Sequence, residues 1–173
     1  MPADTPSDSD AWRPHRRGLD LMTNMSQPHH GHWLEHCVEL SRKSDDPNTQ
    51  IGCVIVDTFN AVRSEGWNSL PRNIRPKPTR LRRPAKYSWL EHAERNAIYA
   101  AARHGTPLGG CILYVPLLPC VDCARAIIQC GITRVVISSQ GMASYAGTRY
   151  LEGHRLARAM FLEAGIIVEE YGL

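Results

Sequence analysis

Residues 92–138 read HAERNAIYAAARHGTPLGGCILYVPLLPCVDCARAIIQCGITRVVIS, and their alternation of patterns decides the architecture. Ala93 to His104 is built from strong helix formers, with Ile98, Ala101 and Ala102 on one face and Gly105 as a stop. Cys111 to Val115 is a short apolar run that predicts a strand. Pro119 suits the first turn of a helix reaching Cys130, Gly131 closes that helix, and Arg134 to Ser138 reads as the next strand. Helices that alternate with short buried strands make an α/β domain.

Outward from this segment, the N-terminal side adds a helix and a hairpin. Trp33, Cys37, Val38, Leu40 and Ser41 fall near helical spacing, which predicts a helix over His32 to Ser44, ended by Asp45-Asp46-Pro47-Asn48. Ile51 to Asp57 reads as a buried strand, Asp57-Thr58-Phe59-Asn60 as a turn, and Ala61 to Trp67 as the returning strand. On the C-terminal side, residues 153–164 form an amphipathic helix and Ile166 to Glu170 a last strand. The sum is a three-layer α/β/α fold around a mixed five-stranded sheet. Residues 1–30 are rich in Asp, Ser, Pro and Arg without apolar periodicity. They are expected to be a disordered arm, in which Met22 and Met25 could also serve as starts, leaving 31–173 as one domain.

The chain has 173 residues, 43% hydrophobic and 21% charged, so it can bury a core without a disulfide framework. No run approaches the length of a membrane span and no secretory signal is visible, which predicts a cytoplasmic protein. Six cysteines, at 37, 53, 111, 120, 123 and 130, are too sparse for a stapled scaffold. Cys37, Cys53, Cys111 and Cys130 lie in apolar runs and read as packing. His29, His30, His32 and His36 straddle the join of arm and helix, where nothing fixes them in ligand geometry. The net charge of +3 conceals a local concentration: Arg72, Arg75, Lys77, Arg80, Arg82, Arg83 and Lys86 lie between Pro71 and Leu90 with no acidic residue among them. Such a segment attracts a phosphate-bearing partner, although most of its side chains read as solvated surface.

The chemistry is carried by His92-Ala93-Glu94 and Pro119-Cys120-Val121-Asp122-Cys123, each at the start of a predicted helix. One imidazole and two thiolates leave the fourth position of a tetrahedral zinc ion open, as catalytic sites require. Helix N-termini favour thiolates through their dipoles. Glu94 lies two residues beyond His92, where it need not be a ligand and can move protons between water and substrate. A lone C-x-x-C would leave a structural zinc site and a pair of core thiols equally open; the H-x-E partner favours catalysis.

This zinc signature is the one established for nucleobase deaminases, and the similarity extends beyond it. Ser44 to Cys53, Gly66-Trp67-Asn68-Ser69-Leu70-Pro71-Arg72, Lys86-Tyr87, Asn96-Ala97-Ile98, Cys123-Ala124 with Ile127-Ile128-Gln129, Gly131-Ile132 and the terminal Ala157-Arg158 to Gly165-Ile166 resemble the deoxycytidylate (dCMP) deaminase family of the zinc cytidine-deaminase-like superfamily. The resemblance covers about residues 33–171. It implies the cytidine-deaminase-like fold, hydrolytic deamination of dCMP to dUMP, zinc held by His92, Cys120 and Cys123, and Glu94 as proton shuttle. It further implies that Asn68 hydrogen-bonds the sugar, that the Ala93 and Cys120 backbone holds the ring, and that an aromatic residue, Tyr145 ahead of Tyr150, reaches the nucleotide. Asn68 also fits ordinary turn chemistry, and either tyrosine also fits packing under the last helix.

Arg72 and Arg75, nearest Asn68, are the phosphate candidates. A homo-oligomer, hexamer or dimer, is implied, with dCTP and dTTP as regulators and Mg2+ as companion of a regulatory nucleotide. Two features depart from the family. Ser69 stands where glycine is usual and constrains the backbone there, and the insert is Arg-rich rather than acidic or mixed, which bears on regulation. Lacking Cys and His, the insert offers no second metal site. Two rival readings stay open. One is a deaminase of the same superfamily acting on modified dCMP, a free base or nucleoside, or transfer-RNA adenosine. The other is a non-catalytic, zinc-stabilised nucleic-acid-binding module. The sparse aromatics, Trp67 and Trp89, disfavour the second, and the long insert disfavours a polynucleotide substrate.

Overall fold

The computed structural model describes residues 29–143 and 151–172; the expected arm, apart from its last two residues, lies outside them, as do Tyr145 and Tyr150. Five strands, β1 (Gly52–Val56), β2 (Val62–Trp67), β3 (Ile112–Val115), β4 (Arg134–Ser138) and β5 (Ile167–Tyr171), form one sheet in the order β2-β1-β3-β4-β5. β1 runs antiparallel to both β2 and β3, whereas β3, β4 and β5 are mutually parallel. The mixed sheet expected from sequence is therefore present. Its parallel half needs long crossovers, which are helices here.

Strand alternation sorts the core into two layers. Cys53, Ile55, Leu113, Val115, Val135 and Ile137 face α4 (Ala93–His104), α5 (Val121–Gln129) and α7 (Leu151–Glu163). Val54, Val56, Ile112, Tyr114 and Val136 face α1 (His30–Ser41) through Trp33, Leu34, Cys37 and Leu40. The sheet's central strands are buried on both faces, which is why they read as unbroken apolar runs rather than as alternation.

The boundaries of α4 and β4 match the sequence reading. α1 starts and ends earlier than expected: His30 is tied to the sheet through Tyr114, and residues 42–44 continue only as three-residue turns on Glu39, Leu40 and Ser41. Asp57 organises the hairpin turn, its Oδ1 accepting from the Phe59 and Ala61 amides at 2.9 and 3.0 Å. The basic insert holds two single-turn helices, α2 (Pro78–Leu81) and α3 (Lys86–Trp89), for which no helix was expected. A further short helix, α6 (Ser139–Ala143), follows β4. No helix among the described residues is long and apolar enough to cross a membrane.

The seam between β2 and α4 positions the site. At Gly66 a Cβ would come within 2.3 Å of the Ala93 carbonyl oxygen and 2.4 Å of the Ala97 amide nitrogen, so only glycine lets the two backbones meet. Ser64 Oγ donates to the Ala97 carbonyl at 2.6 Å and Asn96 Nδ2 donates to the Trp67 carbonyl at 2.7 Å. Helix and hairpin are thus locked together one turn from His92 and Glu94.

Candidate active site

His92 is the N-cap of α4 and Cys120 the N-cap of α5, both in extended backbone, and Cys123 lies in the first turn of α5. The two helices deliver their N-terminal ends to one place. Cys120 Sγ and Cys123 Sγ stand 3.5 and 3.6 Å from His92 Nδ1. A tetrahedral zinc ion with ordinary bond lengths places sulfur and nitrogen about 3.6 Å apart, so the donor set and its spacing fit zinc. Among the described residues, this trio is the one cluster of His, Cys, Asp or Glu close enough to hold a metal. The expected Mg2+ has no comparable set to hold it there.

The three side chains act on one another's proton affinities. The Cys120 thiol is pushed down to about 3, chiefly by a hydrogen bond from Cys123 and then by His92, against the effect of burial. The Cys123 thiol is pushed up because it donates that bond and is buried. His92 is pushed up to about 9, first by its hydrogen bond with Cys120. The close approach of the three groups favours loss of a thiol proton, and metal binding would displace the remaining protons.

Glu94, 5% exposed, sits in the first turn of α4. Burial raises its pKa above the ordinary carboxylate value, while His92 opposes the rise. His92, Ala93, Glu94 and Cys120 line a cavity of about 360 Å3 together with Asn68, Thr49, Ile51, Leu117, Leu118 and His154. This volume lies in the range of small-molecule sites.

Asn68 lines the cavity but is also heavily engaged by the protein. Its Oδ1 accepts from the Ile51 amide at 2.8 Å and lies 2.7 Å from Ser44 Oγ, and its Nδ2 donates to the Thr49 carbonyl at 2.7 Å. Because one partner is a backbone donor and another a backbone acceptor, the amide orientation is fixed. Ser69 has no positive φ and pairs with Glu91 in an isolated bridge, its hydroxyl 3.1 Å from Asn96 Nδ2. The glycine departure therefore costs no backbone strain.

The two phosphate candidates are not brought to the cavity: Arg72 and Arg75 are exposed and do not line it. Arg83, Lys86 and Tyr87 of the same insert do. Lys86 is paired with Asp46, a second cavity residue. Arg83, itself exposed, escaped the sequence reading because seven basic residues in one segment carry no internal mark of which ones border the cavity. His154 did leave a signal, since it precedes the buried Ala157 and Phe161 at spacings of three and seven, on the same face of α7. The aromatic candidates Tyr145 and Tyr150 lie outside the described residues.

Residues 27–139 match the profile of the cytidine and deoxycytidylate deaminase zinc-binding region. The chain is similar to the deoxycytidylate deaminase of Homo sapiens, 38% identical over 117 residues that make up 62% of this chain and 65% of the human one. It is 33% identical to that of Mus musculus over 149 residues, 80% and 79% of the two chains. The human match thus spans just under two-thirds of that relative's length. In fold, the chain is similar to a solved dCMP deaminase from the cyanophage S-TIM5 in complex with dCMP and dUMP, with a TM-score of 0.64, 19% identity, and 84% and 99% coverage.

Proposed function

Because the chain belongs to the cytidine and deoxycytidylate deaminase zinc-binding family, we propose that it catalyses the hydrolytic deamination of dCMP to dUMP. The observation that carries this reading is the convergence of His92, Cys120 and Cys123 beside a cavity into which the buried Glu94 is built. The human and mouse relatives are deoxycytidylate deaminases, which favours dCMP among the family's substrates.

His92, Cys120 and Cys123 would hold zinc, which when bound supplies a Lewis acid that makes water a nucleophile near neutral pH. Glu94 accepts a proton from the attacking water, delivers it to ring N3 as the C4–O bond forms, and returns a second proton to the departing amino group. Water and dCMP thereby give dUMP and ammonia. Burial suits the carboxylate to this exchange by bringing its proton affinity closer to that of its partners. The Ala93 and Cys120 backbone supports the ring, and Asn68 meets the sugar with what its three internal hydrogen bonds leave of its side chain. Arg83, the cationic group of the insert that lines the cavity without a buried partner carboxylate, takes the 5′-phosphate in place of Arg72 and Arg75.

On family membership alone, the reading extends to a cytoplasmic homo-oligomer, hexamer or dimer, regulated by dCTP and dTTP. Ammonia release from zinc-loaded protein tests the whole proposal, with dCMP, CMP, deoxycytidine, 5-methyl-dCMP, dCTP and dAMP offered separately. Turnover of dCMP well above deoxycytidine is expected. Silence toward every monophosphate, with zinc bound and the fold intact, would overturn it.

A further inference from the structure

Arg95 lies three residues past His92, on α4, and stands about one-fifth exposed between the two ligand-bearing helices. Its Nε donates to Glu91 Oε1 at 2.6 Å, and a second guanidinium nitrogen pairs with the same carboxylate. Its NH1 lies 3.5 Å from Asp122 Oδ2. Both carboxylates sit next to zinc ligands. Glu91 immediately precedes His92 and accepts the His92 backbone amide at 3.0 Å, while Asp122 lies between Cys120 and Cys123 in the first turn of α5.

From this arrangement we infer that Arg95 is a positioning residue for the metal site, its guanidinium tying the turn that carries His92 to the turn that carries the two cysteines. The side chain suits the task. A planar fork with several fixed N–H directions can serve two carboxylates at once, whereas an ammonium group acts as a point charge. Arg125 pairs with Asp122 as well, but from within α5 and on an exposed surface, so it joins no second element to the site. The molecule therefore carries its own control: two arginines on one carboxylate, of which one bridges the helices.

The inference rests on the zinc reading, and the experiment separates the two. Full-length protein is loaded with zinc, its stoichiometry measured, and release followed into an excess of a chromophoric chelator. Unaltered chain should carry one zinc ion. Removal of a group that orients metal ligands typically costs about 10–100-fold in metal affinity, so R95M should release zinc faster by about that factor. R95K should release it at an intermediate rate, and R125M at the rate of the unaltered chain. Cobalt-loaded R95M should show an altered thiolate-to-metal absorption band, which a general loss of fold stability would not produce while the protein remains folded.

Equal release from R95M and the unaltered chain would overturn the inference. So would release from R125M as fast as from R95M, because charge on Asp122 rather than the bridge would then be responsible. If R95M does not fold, R95K decides: release as slow as that of the unaltered chain would show that charge alone suffices and would remove the bridge. Absence of zinc from the unaltered chain would overturn the zinc reading itself and the inference with it.

Discussion

Lys86 Nζ lies 2.6 Å from Asp46 Oδ2, and both side chains are at least 94% shielded from solvent. The pair joins the basic insert to the loop after α1, a loop already bound to Asn68 through Ser44, Thr49 and Ile51. Asp46 Oδ1 also accepts from the Asn48 and Thr49 amides. One wall of the cavity is therefore a single polar network, and Lys86 is the insert's contribution to it.

Breaking this pair should be costly. K86M leaves a buried carboxylate without its cation and should destabilise the fold by about 3–5 kcal/mol, read as a lower urea midpoint. The double variant D46N/K86M should recover part of that loss. Burial by itself raises the Asp46 pKa, but the Lys86 hydrogen bond and the two amides outweigh it and hold the carboxyl below its ordinary value of 3.8. A depressed folded pKa gives stabilisation that is full above the unfolded value and is lost as pH falls through the folded one. The urea midpoint of the unaltered chain should therefore drop below about pH 4, and that of D46N should drop less.

E94Q should keep zinc and fold while turnover of dCMP falls by about 10²–10⁴-fold, the usual worth of a positioned acid–base group. Zinc content and thermal unfolding serve as controls. Substantial remaining turnover would remove Glu94 from the proton path.

R83Q should raise KM for dCMP by about 10–100-fold, the equivalent of a lost charge-assisted hydrogen bond of about 1.5–3 kcal/mol, and leave deoxycytidine turnover nearly unchanged. R72Q and R75Q should leave both substrates unaffected. A KM effect at Arg72 rather than Arg83 would return the phosphate to the position expected from sequence.

The N-terminal end of α1 should loosen in mild acid. His30 Nδ1 stands 3.0 Å from the Tyr114 hydroxyl and Nε2 3.2 Å from Glu169 Oε2. A neutral ring satisfies both contacts, Nδ1 accepting and Nε2 donating. Burial lowers the His30 pKa below 6.5, with Glu169 opposing the shift and Arg134 reinforcing it. As pH falls below 6.5 the unfolded chain takes up the proton first, so stability declines. Between pH 7 and 5 the urea midpoint should fall in the unaltered chain and fall less in H30Q.

What was legible in the sequence was whatever the chain encodes locally. Helix starts at His92 and Cys120, the apolar runs of β1, β3 and β4, and the glycine after His104 each announce themselves within a few residues. The metal trio was legible because its two halves sit at helix ends on either side of β3. The Asp46–Lys86 pair spans 40 residues and joins two segments without periodicity, so nothing local signals it. The same holds for Arg83: which arginine of the insert borders the cavity depends on how α2 and α3 pack, which periodicity does not report.

Gly66 gives the site a mechanical property. Side chains between packed elements act as springs, since rotamers shift and absorb small movements. At Gly66 there is no such spring, only backbone against backbone at Ala93 and Ala97, flanked by the hydrogen bonds of Ser64 and Asn96. A side chain at position 66 would therefore have to push the hairpin away from the turn that carries His92 and Glu94, and would open the site from a residue that does not line it.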